Sequence, residues 1–596
     1  MDSISNLGPH EKGVSYTQFS QVMHARRGFF LRLVAISLSA LLAAGVCSGQ
    51  SENVPVFHPV YVFLKRMEVR GFIERYHDAI LPLSRKEVAG FLEQVTTRRE
   101  ELTTAERGYL DDFLSEFQFD ISGSLQGFHT LVNSEEPAFG EALAQTLSNK
   151  EKYLYAYSDT NLSFFVNGLL TGDVRRISGD ALGSDHSEFI QFGGRIRGTI
   201  YNKIGYYLQG TNAQFWGSRE LLERDRFISQ IHNIVVTDAK NFDMSEGYLR
   251  YDGGVISAQV GTERLLWGTG YDQQMVISDN IPPFPFIRMD AQYKSLKYTF
   301  IHGWLLGTTG QVVFSLPSDT STLFVEPTNA DKYIAAHRLE FSFPGLFDIG
   351  GQEMVIYSNR SVDLAYLTPL IVLESAQRAR GERDNTLWAF DMQTHFMPGL
   401  ELSGTLLMDD IHFSDFFKNK YYNKNAYQAG LYVTDPFLFS NLGLRIQWTR
   451  VQPYVFAHDR SRDDNYSTLG RILGPDIGPN ADEWFVRAEY LPLRNLQASL
   501  SVTLERKGNN IVDSTGRLIK NVGGDFLQPH RPADPLEVTF LDGILVRTRK
   551  VDFITTYEIR NQIWLDVWYE HESIENTSSH STVTDNTYGG RIRMEF

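Results

Sequence analysis

The chain ends in residues 588–596, YGGRIRMEF, and this ending decides the fold. Ile592, Met594 and Phe596 are apolar, and the residues between them are charged. A period of two is typical of a β-strand with one apolar and one polar face. The backbone of a terminal edge strand is normally left unpaired, which invites aggregation. That problem disappears if the last strand pairs with the first, so the ending predicts a closed barrel.

Strand-like runs of roughly ten residues fill the chain from residue 155 onward. Short connectors alternate with long polar ones, as in barrels with short turns at one end and long loops at the other. The predicted short turns are 201–205, 252–254, 302–303, 344–351, 397–400, 435–443, 491–495 and 559–562. The predicted long loops are 170–188, 215–241, 264–290, 316–330, 359–384, 412–424, 457–482, 507–549 and 572–585.

This layout predicts a mainly β protein, a transmembrane antiparallel β-barrel of roughly 18 strands over residues 155–596. An even number of strands places both chain ends on one side, the periplasmic side of the outer membrane of a Gram-negative bacterium. Outer-membrane lipid and the barrel assembly machinery are then expected partners, with a monomer favoured. The residues predicted to form the C-terminal assembly signal are Gly590, Ile592, Met594 and Phe596. The alternative is a soluble β-sandwich or propeller, but no repeat of fixed period supports it.

Residues 50–117 are helical in character and precede the predicted barrel. The sequences S-x-x-E at 84–87 and T-x-x-E at 103–106 are capping boxes, which begin helices. We expect about three short helices in a compact periplasmic unit. The segment 118–154 is a predicted linker with a strand-like start and a helix-like middle.

The N-terminus has the pattern of a secretory signal over residues 1–49. Three arginines precede the apolar stretch 33–46, which is too short and wrongly flanked to span a membrane. Met23 is an alternative start, because the residues before it are unusually polar for a signal. Cleavage is expected between Ser48 and Gln50.

Cys47 is the only cysteine in the chain. It could be acylated as in a lipoprotein, but Val46 is branched where such sites prefer a small residue. Cleavage of the signal would otherwise remove Cys47 and leave a mature chain without disulfides. An exported chain without disulfides needs another source of stability, and a closed barrel in lipid supplies one.

The composition and motifs of the chain limit the classes of partner and activity that it can have. The net charge of −16 argues against nucleic acid, which basic surfaces bind. Enzyme signatures such as H-E-x-x-H, G-x-S-x-G and the phosphate-binding loop are not found in the sequence. No cofactor is expected.

Several stretches of the chain together resemble the capsule assembly protein Wzi family. These stretches occur in matching order over most of the predicted mature chain: HPVYVFLKRM (58–67), LPLSR (81–85), GTERLLWGTG (261–270), MVISDNIPPFPFIRM (275–289), AHRLEF (336–341), YLTPL (366–370), DNTLWAFD (384–391) and LLMDDI (406–411). The resemblance implies an outer-membrane barrel that attaches capsular or exopolysaccharide to the cell surface, as a non-catalytic, lectin-like protein. A porin or polysaccharide export channel is the first alternative. A surface glycoside hydrolase that uses Asp409 or Asp410 is the weaker one.

Carboxylates gather at the ends of two predicted strands. The turn at 397–400 joins these strands, so a hairpin would bring their outer ends together. Carboxylates and amides bind sugar hydroxyls or cations, which predicts a polysaccharide site. A glycosidase pair and a loop held by arginines are the alternatives. The acidic and amide residues concerned are Asp384, Asn385, Asp409 and Asp410, and the arginines are Arg378, Arg380 and Arg383.

The loop 264–290 is too apolar to hang free in water, so we expect it to fold into the lumen or onto the barrel mouth. It would plug the pore and offer Arg264 or Arg288 to an acidic polymer, or else form a structural constriction with a buried arginine pair. The residues that mark this loop are Arg264, Trp267, Gly268, Gly270, Ser278, Asn280, Pro283, Pro285 and Arg288.

Residues 418–425, KNKYYNKN, combine cations with Tyr421 and Tyr422. They could stack on and hold an anionic sugar chain, or form a solvated loop. His412 and the run 570–572, Glu-His-Glu, could hold a metal. Exposed loops often carry such residues, so no metal is predicted.

Overall fold

The computed structural model describes residues 50–131, 150–231, 240–307, 331–379, 381, 384–409, 418–458 and 462–596, with the backbone of Gln311–Ser315 and Leu323–Pro327. The predicted signal over 1–49 lies outside the described residues, as does part of the predicted linker, 132–149.

Eighteen antiparallel strands close into one barrel, as predicted. In chain order they are β1 (Ser163–Gly179), β2 (Gly183–Ile200), β3 (Ile204–Gly217), β4 (Asn241–Asp252), β5 (Ile256–Glu263), β6 (Phe284–Tyr293), β7 (Leu296–Leu306), β8 (Asp331–Phe343), β9 (Phe347–Ser358), β10 (Asn385–Thr394), β11 (Leu400–Asp409), β12 (Asn425–Thr434), β13 (Leu442–Val451), β14 (Ala481–Leu493), β15 (Leu496–Asn509), β16 (Ile544–Arg560), β17 (Ile563–Asn576) and β18 (Ser581–Glu595).

The last strand closes the barrel on the first. β18 pairs with β1 along its length, and the register places Glu595 opposite Leu169. Phe596 and Gly168 exchange backbone hydrogen bonds with N–O distances of 3.0 and 2.6 Å. Below this point the short strand Tyr155–Ser158 pairs with β1 in place of β18. The backbone groups of β18 are therefore paired, so this strand does not form an open edge of the sheet.

Side chains alternate between the two faces of the wall. Trp484 on β14 is 51% exposed, whereas its neighbour Phe485 is 3% exposed and points inward. Leu500 and Leu504 on β15 are likewise exposed on the outer face, and Ser501 between them is buried. A band of outward apolar residues is the lipid-facing surface of an outer-membrane barrel, and we call it the apolar belt.

The predicted turn at 302–303 is wrong. β7 runs straight through His302 and Gly303, and the turn lies at 294–295, where Lys294 has a left-handed φ of 55°. A Cβ on Gly303 would lie 2.7 Å from the ring of Phe284. The glycine makes room for that ring within the wall instead of turning the chain.

Two predicted long loops, 170–188 and 572–585, are also wrong. Most of their residues belong to β1, β2, β17 and β18, which have 17, 18, 14 and 15 residues. The connectors are only 180–182 and 577–580. These strands extend beyond the apolar belt, so their ends are polar and resemble loops in sequence.

The helical unit has four helices: α1 (Val60–Val69), α2 (Arg85–Thr96), α3 (Thr104–Glu116) and α4 (Gln118–Ser122). Ser84 and Thr103 form the two predicted capping boxes. The strand-like reading of residue 118 onward is wrong, because α4 occupies this position and ends at Gly123 with φ 68°. Two short helices, α5 (Arg219–Glu223) and α6 (Leu373–Ala379), lie in long loops. Within the described residues no helix is long and apolar enough to cross a membrane.

The helical unit contacts the short-turn end of the barrel through buried ion pairs. The ammonium of Lys65 on α1 lies 2.8 Å from Glu68, 2.9 Å from Asp78 and 2.7 Å from Glu401 of β11. We call these four residues the charged seam. Burial raises the pKa of Glu68 to about 8 against the pull of Lys65.

The loop 264–283 lies inside the barrel. Trp267, Met275 and Ile277 are fully buried against inward side chains of β7–β14. Leu266–Trp267 also pairs with Ile80–Leu81, so this loop meets the helical unit in the lumen. We call this side of the lumen the filled half.

The opposite wall, β15–β18, leaves most of its inward side chains half-exposed. They form ion pairs along the wall, such as Lys550 with Glu570 at 2.6 Å and Arg593 with Asp566 at 2.7 Å. Trp564 is half-exposed here and lines a cavity of about 300 Å³ beside the helical unit. We call this side the open half.

Candidate functional site

The long-loop end of the barrel carries a cluster of aromatic rings drawn from separate loops. Tyr421 stacks on His530 with ring centroids 3.5 Å apart and planes 12° apart. Tyr422 and Tyr454 meet the edge of Tyr421 at 5.4 and 6.1 Å. Tyr454 is buried beneath, and the other three rings are half-exposed. We call these four residues the aromatic platform.

A second loop holds Tyr421 in place. The backbone N–H of Tyr421 donates to the carbonyl of Leu536 at 3.1 Å, and Val538 donates to Asn419 at 3.0 Å. Lys420 forms an ion pair of 2.9 Å with Glu537. Tyr421 is thus fixed between two loops and does not lie free in solvent.

The loop that carries His530 is itself braced by Asp534. Arg531 donates to this carboxylate at 2.7 Å, and the Asn521 amide donates at 3.0 Å. Burial works against ionisation, but these hydrogen bonds hold the pKa of Asp534 below its usual range. The platform is therefore bordered by fixed charges of both signs.

This arrangement suits a flat ligand that has one apolar face and many hydroxyls. Half-exposed rings offer apolar contact at a low entropic cost, because each ring is already held by stacking. The neighbouring carboxylates, amides and cations can exchange hydrogen bonds with hydroxyl groups. A sugar residue has both properties.

The predicted carboxylate cluster is not assembled. In the β10–β11 pairing Leu387 lies opposite Asp409, so Asp409 and Asn385 point into the lumen. Asp384 is one residue from Asn385, so its side chain points to the opposite, outer face. Inside, Asp409 accepts a hydrogen bond of 2.6 Å from the backbone of Phe456. The hairpin brings these residues to one end of the barrel but to opposite faces, and Asp410 lies outside the described residues.

Asp384 instead stabilises a loop. Both guanidinium nitrogens of Arg360 bind it at 2.7 and 2.8 Å, and the hydroxyl of Tyr366 donates to it at 2.6 Å. This matches the loop-stabilising alternative, but with a different arginine. Arg378 pairs with Glu374, while Arg380 and Arg383 lie outside the described residues.

Residues 359–379, which we call the strap, lie on the outer surface of the barrel over β7–β10. Beneath them are buried polar side chains at lipid-facing positions. The His302 ring nitrogen lies 2.7 Å from the Tyr357 hydroxyl, and that of His337 lies 3.0 Å from the Glu353 carboxylate. The strap itself exposes apolar residues, among them Leu364 at 77% and Leu370 at 86%. It therefore covers a polar patch with an apolar surface.

The two arginines of the lumenal loop have separate partners. Arg264 donates to the carbonyls of Asp279 and Ile281 at 3.3 and 2.5 Å. Arg288, on β6, lies 2.9 Å from the Asp290 carboxylate. Both arginines are buried, so neither is placed to meet a polymer. Two buried arginines are what the structural alternative describes, and each has its own partners.

The other marker residues of this loop shape its path. Gly268 has a φ of 142°, and a Cβ on Gly270 would lie 1.8 Å from the Gln273 carbonyl, so both positions require glycine. The Ser278 backbone donates to Leu473 at 2.7 Å. Of the remaining marker residues, Asn280 is buried, Pro283 is half-buried and Pro285 is exposed.

The metal candidates do not assemble into a site. Glu570 and Glu572 point into the lumen, whereas His571 between them points outward. His412 lies outside the described residues. Atoms of Glu68, His395 and Glu401 lie within 4.8 Å of one another, but the Lys65 ammonium already binds both carboxylates.

Comparison with known families identifies the chain. The family model of the capsule assembly protein Wzi matches residues 174–587. The chain belongs to the Wzi family. The match runs from within β1 to within β18 and so covers nearly the whole barrel, and it confirms the resemblance read from the sequence.

Solved structures show the fold of this Wzi family member. It is similar to Escherichia coli Wzi, an outer-membrane protein involved in group 1 capsule assembly and described as a carbohydrate-binding β-barrel. The TM-score is 0.53 at 13% identity, over 92% of this chain and 99% of that one. Pseudomonas aeruginosa OccK5 (OpdH) and a BenF-like porin from Pseudomonas fluorescens Pf-5 have TM-scores of 0.38 and 0.41 at 8% identity, over 72% of this chain and 98% and 99% of theirs. No curated protein matches the chain.

In this Wzi family member, sequence reasoning found only part of the platform. It singled out Tyr421 and Tyr422 but missed His530 and Tyr454, which come from other loops. One usable signal was the length of the connector between β15 and β16, residues 510–543. Connectors of more than about 15 residues are uncommon and are often functional.

Proposed function

We propose that this protein binds capsular or exopolysaccharide and holds it at the cell surface without catalysis. The aromatic platform carries the proposal, because it presents stacked rings and charged groups at the long-loop end of a Wzi family barrel. The description of E. coli Wzi as a carbohydrate-binding barrel supports it. The proposal places the helical unit and Phe596 in the periplasm, so the platform faces the exterior. Phe596 then belongs to the signal that the barrel assembly machinery reads.

Loss of the protein should release polymer. In a deletion strain we expect total polysaccharide to stay constant while its distribution shifts from cells to medium, because attachment and not synthesis is lost. The measurement is the polymer content of washed cells and of culture supernatant. Lower total polymer with an unchanged distribution would favour an export channel, and no change in either would reject the attachment role.

Removing the exposed rings should weaken binding. The double variant Tyr421→Ala with Tyr422→Ala is expected to lose about tenfold in affinity for the purified polysaccharide, since each aromatic contact contributes about 0.5–1.5 kcal/mol. Isothermal titration of the purified barrel measures the loss. Tyr201→Ala is the matched control, because Tyr201 is 66% exposed at the opposite end. Equal affinity of the double variant and the wild type would exclude the platform.

The filled half of the lumen also predicts a small conductance. An open barrel of 16–18 strands holds a wide aqueous channel, whereas here buried Trp267, Met275 and Ile277 occupy the lumen. We expect purified protein in planar bilayers to conduct far less than an open porin of that size. Large, steady channels would instead support the porin alternative.

A further inference from the structure

Four arginines lie on the outer surface at the long-loop edge of the apolar belt. They are Arg450 on β13, Arg506 on β15, and Arg547 and Arg549 on β16. Arg506 lies directly opposite Arg547 across the strand pair, and Arg549 lies opposite Leu504. We call these four residues the arginine edge.

Their outward direction follows from the alternation of the strands. Leu500, Leu504 and Arg506 share one face of β15, and both leucines are exposed on the belt. On β13, Arg450 and Trp448 are two residues apart and so share one face of the strand. The ring of Trp448 contacts that of the exposed Trp484, with centroids 6.4 Å apart. The arginines therefore continue the lipid-facing rows.

The charge of the arginine edge is only partly balanced. Arg506 binds Asp482 at 2.9 and 2.5 Å. Arg547 and Arg549 share Glu575 at the longer distances of 3.4 and 3.8 Å. Within the described part of the chain, the carboxylate partners of these four cations are Asp482 and Glu575, which leaves an excess of two positive charges.

Such an excess is unfavourable unless an anion is present. Like charges directly opposite each other destabilise a sheet. The side chains of Arg506, Arg547 and Arg549 are 53%, 42% and 64% exposed, so an anion outside the barrel can reach them. The guanidinium group binds phosphate through two parallel hydrogen bonds, which makes phosphate a suitable ligand.

The depth of the cluster indicates where the phosphate comes from. A strand crosses the hydrocarbon region in about 9–11 residues. Counted from Leu496, the first residue of β15, Arg506 lies at the far boundary of that region. Leu500, Leu504 and Phe553 are exposed beneath the cluster and can contact acyl chains. The cations and the apolar surface are continuous, as the headgroup and tails of one lipid require.

We propose that the arginine edge binds the phosphate groups of a phosphorylated lipid in the surrounding leaflet. The acyl chains of this lipid pack on Leu500, Leu504 and Phe553. The inference rests on the proposed membrane placement and is independent of polysaccharide binding. It makes this sector of the barrel a specific lipid site.

The test uses a fluorescent diphosphorylated disaccharide lipid with the purified protein in neutral detergent micelles, read by anisotropy. The triple variant Arg506→Gln, Arg547→Gln, Arg549→Gln should bind this lipid about tenfold or more weakly, because it loses charge-assisted hydrogen bonds. Arg176→Gln is the control, since Arg176 is an exposed, outward arginine on β1 and should leave affinity unchanged. The single variant Arg549→Glu should also weaken binding if the triple variant misfolds.

Two further arms identify the ligand. The same lipid without its phosphates should bind about as weakly to the wild type as the intact lipid binds to the triple variant. Millimolar inorganic phosphate should not displace the intact lipid. Equal binding of both lipids, unchanged affinity in Arg549→Glu, or displacement by inorganic phosphate would each overturn the lipid site. Polysaccharide affinity of the folded variants should stay at the wild-type value, which separates this proposal from the proposed function.

Discussion

Replacing Lys65 by methionine should destabilise the attachment of the helical unit by about 3–5 kcal/mol, the usual cost of removing one partner from a buried ionic cluster. Glu68, Asp78 and Glu401 share the Lys65 ammonium at 2.8, 2.9 and 2.7 Å. Without Lys65 these carboxylates would face one another inside the protein. The measurement is hydrogen exchange of α1–α3, because local opening precedes unfolding of the barrel.

The same variant should depend on pH in a defined direction. Burial already raises the pKa of Glu68 to about 8, and loss of the ammonium raises it further. A carboxyl whose pKa is raised in the folded state contributes stability at low pH and loses it as pH rises through that pKa. The defect of Lys65→Met should therefore be smaller at pH 5 than at pH 8.

Lys86→Met is the matched control for the charged seam. Lys86 pairs with Asp252 at 3.6 Å, and its side chain is 35% exposed. An exposed pair of this kind contributes about 0–1 kcal/mol. If both variants changed exchange of the helical unit equally, the seam would not be what holds the unit.

Trp267→Ala should lower the free energy of unfolding by about 3–5 kcal/mol, the range for truncating a buried aromatic side chain. The indole is fully buried in the filled half, and its N–H donates to the Gln352 side chain. Its loss leaves a cavity and removes one of the two hydrogen bonds to the Gln352 oxygen, which Arg338 also donates to at 3.1 Å. Thermal unfolding in detergent measures the stability, and planar bilayers should show a higher conductance as the loop loosens.

Trp484→Ala is the control that separates the effect of loosening the lumenal loop from the general effect of losing a tryptophan. Trp484 is 51% exposed on the apolar belt, so its truncation leaves no internal cavity. We expect it to leave conductance at the wild-type value. An equal rise in conductance for both variants would mean that the loop 264–283 does not obstruct the lumen.

The barrel could be predicted from the sequence because its signals are local. A period of two, turn residues and the two capping boxes each act over a few positions. The predicted turn and loops were wrong where a glycine or a polar stretch has a different structural cause. Gly303 is small to admit Phe284, and the polar ends of β1, β2, β17 and β18 extend a wall beyond the belt.

The candidate site was only partly predictable because its contacts are distant in sequence. Tyr421 could be chosen from its own loop, but nothing near it identifies His530 as its stacking partner. The predicted cluster of Asp384 with Asp409 was wrong for a different reason. Their separation depends on the register of β10 against β11, and a change of one residue moves a side chain to the other face.

The strap sets an order of events for the folding of one sector. His302, His337 and Glu353 occupy positions that would otherwise touch hydrocarbon, where unpaired polar groups cost several kcal/mol, about 2–7 by transfer measurements. The strap joins β9 to β10 and is fastened by Arg360 and Asp384. We therefore expect that this part of the wall does not enter the bilayer strand by strand. We expect β7–β10 and the strap to be inserted together, as one unit.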